Sequence, residues 1–226
     1  RREGAATLHD GELLVLHEAH TELTFTDVAS EPVPSLLRGF SAPVDLDCDH
    51  STAQLLHLLA HDRDPFNRWE AGQQLCLRVA IEHIVAGSQS VSAAPLDEAC
   101  IGALRAVLRD PTLDAAFKAL VLTLPAEDYI AEQLDEVDPQ RIHAVCNAMA
   151  LQLASALQGD WQRAFEQHAD TGAYQPEPVA AGKRALAGLA LRMLCLTARA
   201  SGDTVWPGKA YQRVKDAGNM TDRLNA

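Results

Sequence analysis

Basic residues are scarce in this chain. Lysine and arginine number 19 against 31 aspartates and glutamates, a formal net charge of 19 − 31 = −12. A surface so short of cations cannot neutralise a phosphate backbone, which argues against nucleic acid as a partner. The five cysteines, Cys48, Cys76, Cys100, Cys146 and Cys195, are odd in number, scattered, and contain no C-x-x-C pair. That spacing argues against a zinc–thiolate cluster. It suits small buried apolar residues in a reducing compartment, hence a cytoplasmic location. Long apolar runs are missing too: charge or glycine breaks each one well short of the roughly 20 residues that a membrane span needs. The first residues carry no cleavable signal pattern. No G-x-S-x-G, phosphate-binding glycine loop or nucleophile elbow occurs, so two common routes to enzymatic chemistry are closed. There is no initiating methionine, and Thr221 to Ala226 reads as a helix only begun. A helix so short is unstable alone, and the expectation is a piece of a longer chain.

The residues that are plentiful are apolar and patterned. With 47% hydrophobic residues in 226, the chain can bury a core for one domain or one and a half. Residues 1–48 have strand-and-turn composition. Glu12 to Leu16 and Thr21 to Phe25 are short runs of leucine, β-branched and aromatic residues, and Pro32, Pro34, Gly39 and Pro43 punctuate the stretch after them. Two to four short strands make no stable module by themselves, so this stretch is expected to be the end of a β-sandwich. Residues 49–226 read as helical. Ser51 or Thr52 can cap a helix through about His61. Asp64-Pro65 supplies an N-cap followed by proline at the first helical position, and Trp69, Gly72, Cys76, Val79 and His83 fall on one stripe of that helix, which should end near Gly87. Trp69 is expected to be a largely buried anchor. Further helices are expected at 97–108, 113–122 and 126–134. Behind Asp138-Pro139, Ile142, Val145, Cys146, Met149, Leu153 and Leu157 form an amphipathic face. From Pro178 to about Ala200 the sequence is apolar nearly all round, which suggests burial on more than one side. The fold class is therefore mainly α: antiparallel helices in an irregular, HEAT- or armadillo-like solenoid after a short β-sandwich remnant.

Chemical motifs are few. His17-Glu18-Ala19-His20 resembles a metalloprotease signature, but its histidines are three apart, whereas H-E-x-x-H needs four on a helix. His57 and His61 have the i, i+4 spacing that can hold zinc. Leu58 stands where the general base belongs and no third ligand presents itself, so they read as helix-surface histidines. His83 reads as a hydrogen-bonded core histidine. The carboxylates from Asp97 to Asp138 cluster at helix starts, where the helix dipole explains them. No catalytic, cofactor-binding or metal-binding residue is assigned.

Four landmarks resemble the bacterial aminopeptidase N family. Pro32-Val33-Pro34-Ser35-Leu36-Leu37-Arg38-Gly39-Phe40-Ser41-Ala42-Pro43-Val44 is similar to the junction between its small β-sandwich and its helical C-terminal domain. Pro65-Phe66-Asn67-Arg68-Trp69-Glu70-Ala71 is similar to a stretch opening an early helix of that domain. Lys183-Arg184-Ala185-Leu186 and Asn219-Met220-Thr221-Asp222 resemble two later ones, in the family's order. The resemblance implies a zinc enzyme that removes single residues from peptide N-termini, with a metal-activated water attacking the carbonyl and a glutamate as base. The family's metal ligands and amine-holding segment lie upstream, and nothing here matches them. The chain is thus expected to be a non-catalytic fragment, inactive alone and without cofactor. Its partners would be the upstream catalytic domain, which it caps, and peptide substrates in the zinc-containing parent. The alternative is a free-standing helical-repeat interaction module.

Overall fold

A computed structural model describes residues 19–22, 25, 27–87, 95–168 and 174–226. The run Glu12 to Leu16 and the motif residues His17 and Glu18 lie outside the described residues, as does part of Thr21 to Phe25. The chain divides into two compact units, residues 1–34 and residues 35–226. The described part of the first has no regular helix or strand.

The second unit opens with a 3-10 turn, Arg38–Phe40, and after an irregular stretch through residue 51 its regular elements are all helices among the described residues. These are α1 (Thr52–His61), α2 (Pro65–Val85), α3 (Glu98–Arg109), α4 (Ala115–Val121), α5 (Glu127–Ala131), α6 (Pro139–Ala156), α7 (Gln158–His168), α8 (Pro178–Ser201), α9 (Val205–Asp216) and α10 (Met220–Asn225). The architecture is mainly α and solenoid-like. Capping chemistry sets most starts. The Ser51 hydroxyl accepts from Gln54 N–H while the Gln54 side chain accepts from Ser51 N–H, a reciprocal box. Asp64, Asp97, Asp114 and Asp138 each accept an N–H of the turn they open, with proline next after Asp64 and Asp138. Ends are closed from outside as well. At the end of α2, Arg141 donates to the carbonyls of Ile84 (2.6 Å) and His83 (2.5 Å), which the helix itself leaves unpaired.

Burial departs from the periodicity in places. On α2 the buried positions are Ala71, Gly72, Leu75, Cys76, Ala80 and Ile84. The expected stripe holds at Gly72 and Cys76 but is one residue off at Val79 and His83, because four-residue steps carry the buried row on to Ala80 and Ile84. Trp69 is only partly buried. The fully buried tryptophan is Trp161, at 0% exposure, its indole N–H donating to the Leu153 carbonyl at 3.3 Å. The α6 face is as expected, with Ile142, Val145, Met149, Leu153 and Leu157 buried, and Cys146 at its margin.

Helix α8 is the hub, packing against α4, α6, α7, α9 and α10. Its crossing with α4 is close enough that a Cβ on Gly182 would lie 2.8 Å from the Ala116 backbone nitrogen. Backbone cannot yield as a side-chain tip can. Gly182→Ala should therefore cost about 1–3 kcal/mol in chemical unfolding, the scale of an overpacked core. Trp161→Ala should cost about 3–5 kcal/mol, and Trp69→Ala clearly less. Equal losses at the two tryptophans would show that the burial pattern is wrong.

Candidate functional site

Two places gather chemistry. The first joins the two most specific sequence landmarks. Asp62 accepts from the Ser35 hydroxyl at 2.6 Å and pairs with Arg38 at 3.4 Å. Asp64 accepts from Gly39 N–H at 2.9 Å while also capping α2. The Asn67 amide donates to the Ser35 hydroxyl and the Leu36 carbonyl, both at 2.9 Å. The short turn between α1 and α2 thus straps residues 35–40 onto the helices. The strap holds Leu37 and Phe40 in left-handed backbone, at φ 54° and 56°, a conformation that costs bulky L-residues about 1–2 kcal/mol each. Its outcome is an aromatic row. The Phe40 ring sits 4.7 Å from Phe66, and Phe66 5.6 Å from Trp69. Phe40 is 72% exposed and Phe66 40%, with Leu36 exposed beside them in sequence.

The second is a cavity of about 280 Å³ lined by residues of α3, α4, α7 and α8, among them Arg109, Lys118, Asp160, Arg163 and His168. Asp160 is buried at 6% exposure. It accepts from Arg109 at 2.7 and 3.1 Å and from Arg163, and lies 3.9 Å from Arg105. Burial alone would raise the Asp160 pKa, but the hydrogen bonds and charges of Arg109 and Arg163 outweigh it and hold the carboxyl below its usual value.

The candidate residues singled out in the sequence do not converge on one site. His57 and His61 are exposed, with ring centres 4.9 Å apart, and Leu58 between them is buried. Among the described residues no group of three histidine, cysteine, aspartate or glutamate side chains converges where a metal could sit. The donor set of a catalytic zinc, three protein ligands and an open position, does not fit these residues. His83 Nδ1 lies 2.9 Å from the Val79 carbonyl, so that nitrogen carries the proton. Of the acidic groups singled out, Asp97 and Asp138 cap helix starts, while Glu98, Glu127 and Asp128 stand in first turns rather than at the cap. Glu127 additionally meets His143 at 2.8 Å. The Asn219 side chain accepts from Asp222 N–H and opens α10, with Asp222 paired to Arg213 at 2.7 Å. Sequence reasoning missed the Asp160 cluster, because Arg105 and Arg109 of α3 meet Asp160 of α7 only through tertiary packing and no local pattern joins them.

An all-helical unit with this strap defines the class of protein, and comparison with known proteins agrees. Residues 52–226 match a family described as a domain of unknown function with ARM repeats (DUF3458_C), and residues 1–49 match its companion of Ig-like fold (DUF3458). The chain belongs to this family, which forms the C-terminal part of aminopeptidase N proteins. It is 34% identical to aminopeptidase N of Caulobacter vibrioides over 79% of its length, and 34% identical to those of Escherichia coli and Haemophilus influenzae over 95% and 96%. It spans 20–25% of the length of these relatives. A crystal structure of Legionella pneumophila aminopeptidase A in complex with aspartic acid superposes with a TM-score of 0.73 at 25% identity, covering 89% of this chain and 24% of that one.

Asp160 gives a test by pH. Its folded pKa lies below 3.8, so the paired carboxylate contributes full stability above that value and loses it as the pH falls through the folded pKa. Asp160→Ala should cost about 1 kcal/mol at neutral pH, because it removes charge-assisted hydrogen bonds whose arginine donors are half exposed and can return to water. The gap between wild type and variant should stay level down to about pH 4 and narrow below it. A gap that widens on acidification would contradict the assigned pairing.

Proposed function

We propose that this chain is the non-catalytic C-terminal region of a zinc aminopeptidase, which caps the catalytic domain and encloses its active-site cavity. The observation that carries the reading is the match to aminopeptidase N along nearly the whole chain, at only a quarter of those proteins' length. Zinc, substrate amine recognition and the general base then belong to the preceding domain, since the donors present here do not fit a catalytic metal. Residues 1–48 are the end of the β-sandwich-like domain and residues 49–226 the front of the helical one, with the 35–40 strap tying them in sequence. The aromatic row of Phe40, Phe66 and Trp69 supplies the docking face: two exposed phenylalanines side by side are costly to leave in water and suit a surface that another domain covers. The parent works on peptides in the cytoplasm.

A paired assay tests this. The purified chain should hold no stoichiometric zinc and release no amino acid from alanine- or leucine-type chromogenic substrates, while the longer protein should do both. Chelator-sensitive hydrolysis by the chain at a rate near that of the longer protein would overturn the proposal and return attention to His57 and His61. In the longer protein, Phe40→Ser with Phe66→Ser should lower thermal stability or activity; no change in either would remove the aromatic row as the docking face.

A further inference from the structure

We propose that the cavity between α3, α4, α7 and α8 is a binding site for a small oxyanion, a phosphate or a carboxylate, held by Lys118 together with Arg109 and Arg163. Its charge runs against that of the chain. Overall the formal charge is −12, yet the cavity lining carries Arg109, Arg163 and Lys118 against Asp160 alone, or 3 − 1 = +2. Asp160 accepts from Arg109 and Arg163, and among the described residues no hydrogen bond or ion pair joins it to Lys118.

Lys118 is the residue that packing alone does not explain. It is 8% exposed, far below the norm for lysine, and no hydrogen bond or ion pair reaches its ammonium among the described residues. Burial pushes its pKa down, and the more distant charges of Asp110 and Asp114 only partly restore it. Its ammonium is not among the side-chain atoms sealed from solvent, so it opens toward the cavity, where a cation without a counter-charge favours an anion. The same cavity holds a second unmet group. Among the described residues, His168 Nδ1 is buried with no hydrogen-bond partner. Burial lowers the His168 pKa, with Lys118 and Lys183 adding to the effect, which favours the neutral ring, and a neutral imidazole carries one N–H to donate. An oxyanion in a space of about 280 Å³ would meet the Lys118 ammonium, the outward N–H groups of the arginines and the imidazole N–H at once. The rest of the lining includes apolar Leu108, Ala164 and Leu186, so the room suits a compact head group.

The test needs no peptidase activity, so its failure and that of the proposed function are separable. Thermal unfolding of the full protein is followed at neutral pH in chloride, phosphate and acetate at matched ionic strength. Phosphate, acetate or both should raise the midpoint saturably over chloride, by about 3–5 °C at tenfold excess over the Kd. A shift with phosphate alone assigns a phosphoryl ligand, and a shift with acetate alone a carboxylate. Lys118→Met should abolish the shift without lowering the midpoint in chloride, since the ammonium makes no hydrogen bond or ion pair among the described residues and methionine keeps the packed stem. Arg163→Gln should reduce the shift and serves as the second arm if Lys118→Met fails to fold. No saturable shift in wild type, or an equal shift in wild type and the folded variants, which marks general salt exclusion from the surface, would overturn the proposal.

Discussion

The burial of α8 on several sides at once is the constraint around which the helical unit is organised. From Leu186 to Leu191 every residue except Leu189 is buried, and Met193, Leu194 and Ala198 continue inside. A helix without a broad polar face cannot lie on a surface, so α4, α6, α7, α9 and α10 must surround it. Small residues make that possible. Gly182 lets the α4 backbone approach, and Ala187, Gly188 and Ala190 keep the remaining neighbours near. Each surrounding helix then places its own side chains. α4 brings Lys118 and α7 brings Asp160 and His168 to the wall of one cavity, and Leu186 of α8 closes it. The cationic cavity is therefore a product of helix packing rather than of any local motif.

The front of the unit obeys a different constraint. There a polar strap, not an apolar seam, fixes the chain. Asp62, Asp64 and Asn67 each satisfy groups of residues 35–40 while finishing α1 or opening α2. The strap tolerates two bulky residues at positive φ and turns Phe40 outward onto Phe66. Placing local strain and exposed aromatic surface together at one point is characteristic of surfaces meant to be covered.

Helix starts were legible in the sequence because capping is local: Ser51, Asp64, Asp97 and Asp138 declare themselves within three residues. The all-round apolarity of α8 and the α6 face were legible for the same reason. Helix α9 escaped, since Pro207 and Gly208 sit in its first turn and mask the periodicity. The depth of Trp69 was misjudged because a stripe on α2 says which face is inward but not whether a neighbour covers its first turn. The Asp160 cluster and Lys118 were illegible in principle. Asp160 and Arg109 lie about 50 residues apart along the chain and converge only through tertiary packing, which also brings Lys118 to the same cavity. The meeting of residues 35–40 with α2 was likewise invisible, although both segments stood out as landmarks.

If the helical unit presents a built docking face to the rest of a larger peptidase, that face must lose its contact with water in the longer protein. Amide hydrogen exchange, compared between the chain alone and the same segment within the longer protein, tests this most directly. Residues 35–46, largely outside regular helix, should exchange far more slowly in the longer protein, while the interior of α8 should be protected alike in both. Equal exchange of residues 35–46 in the two would contradict the docking face, because the aromatic row would then remain as open to water in the longer protein as in the chain alone.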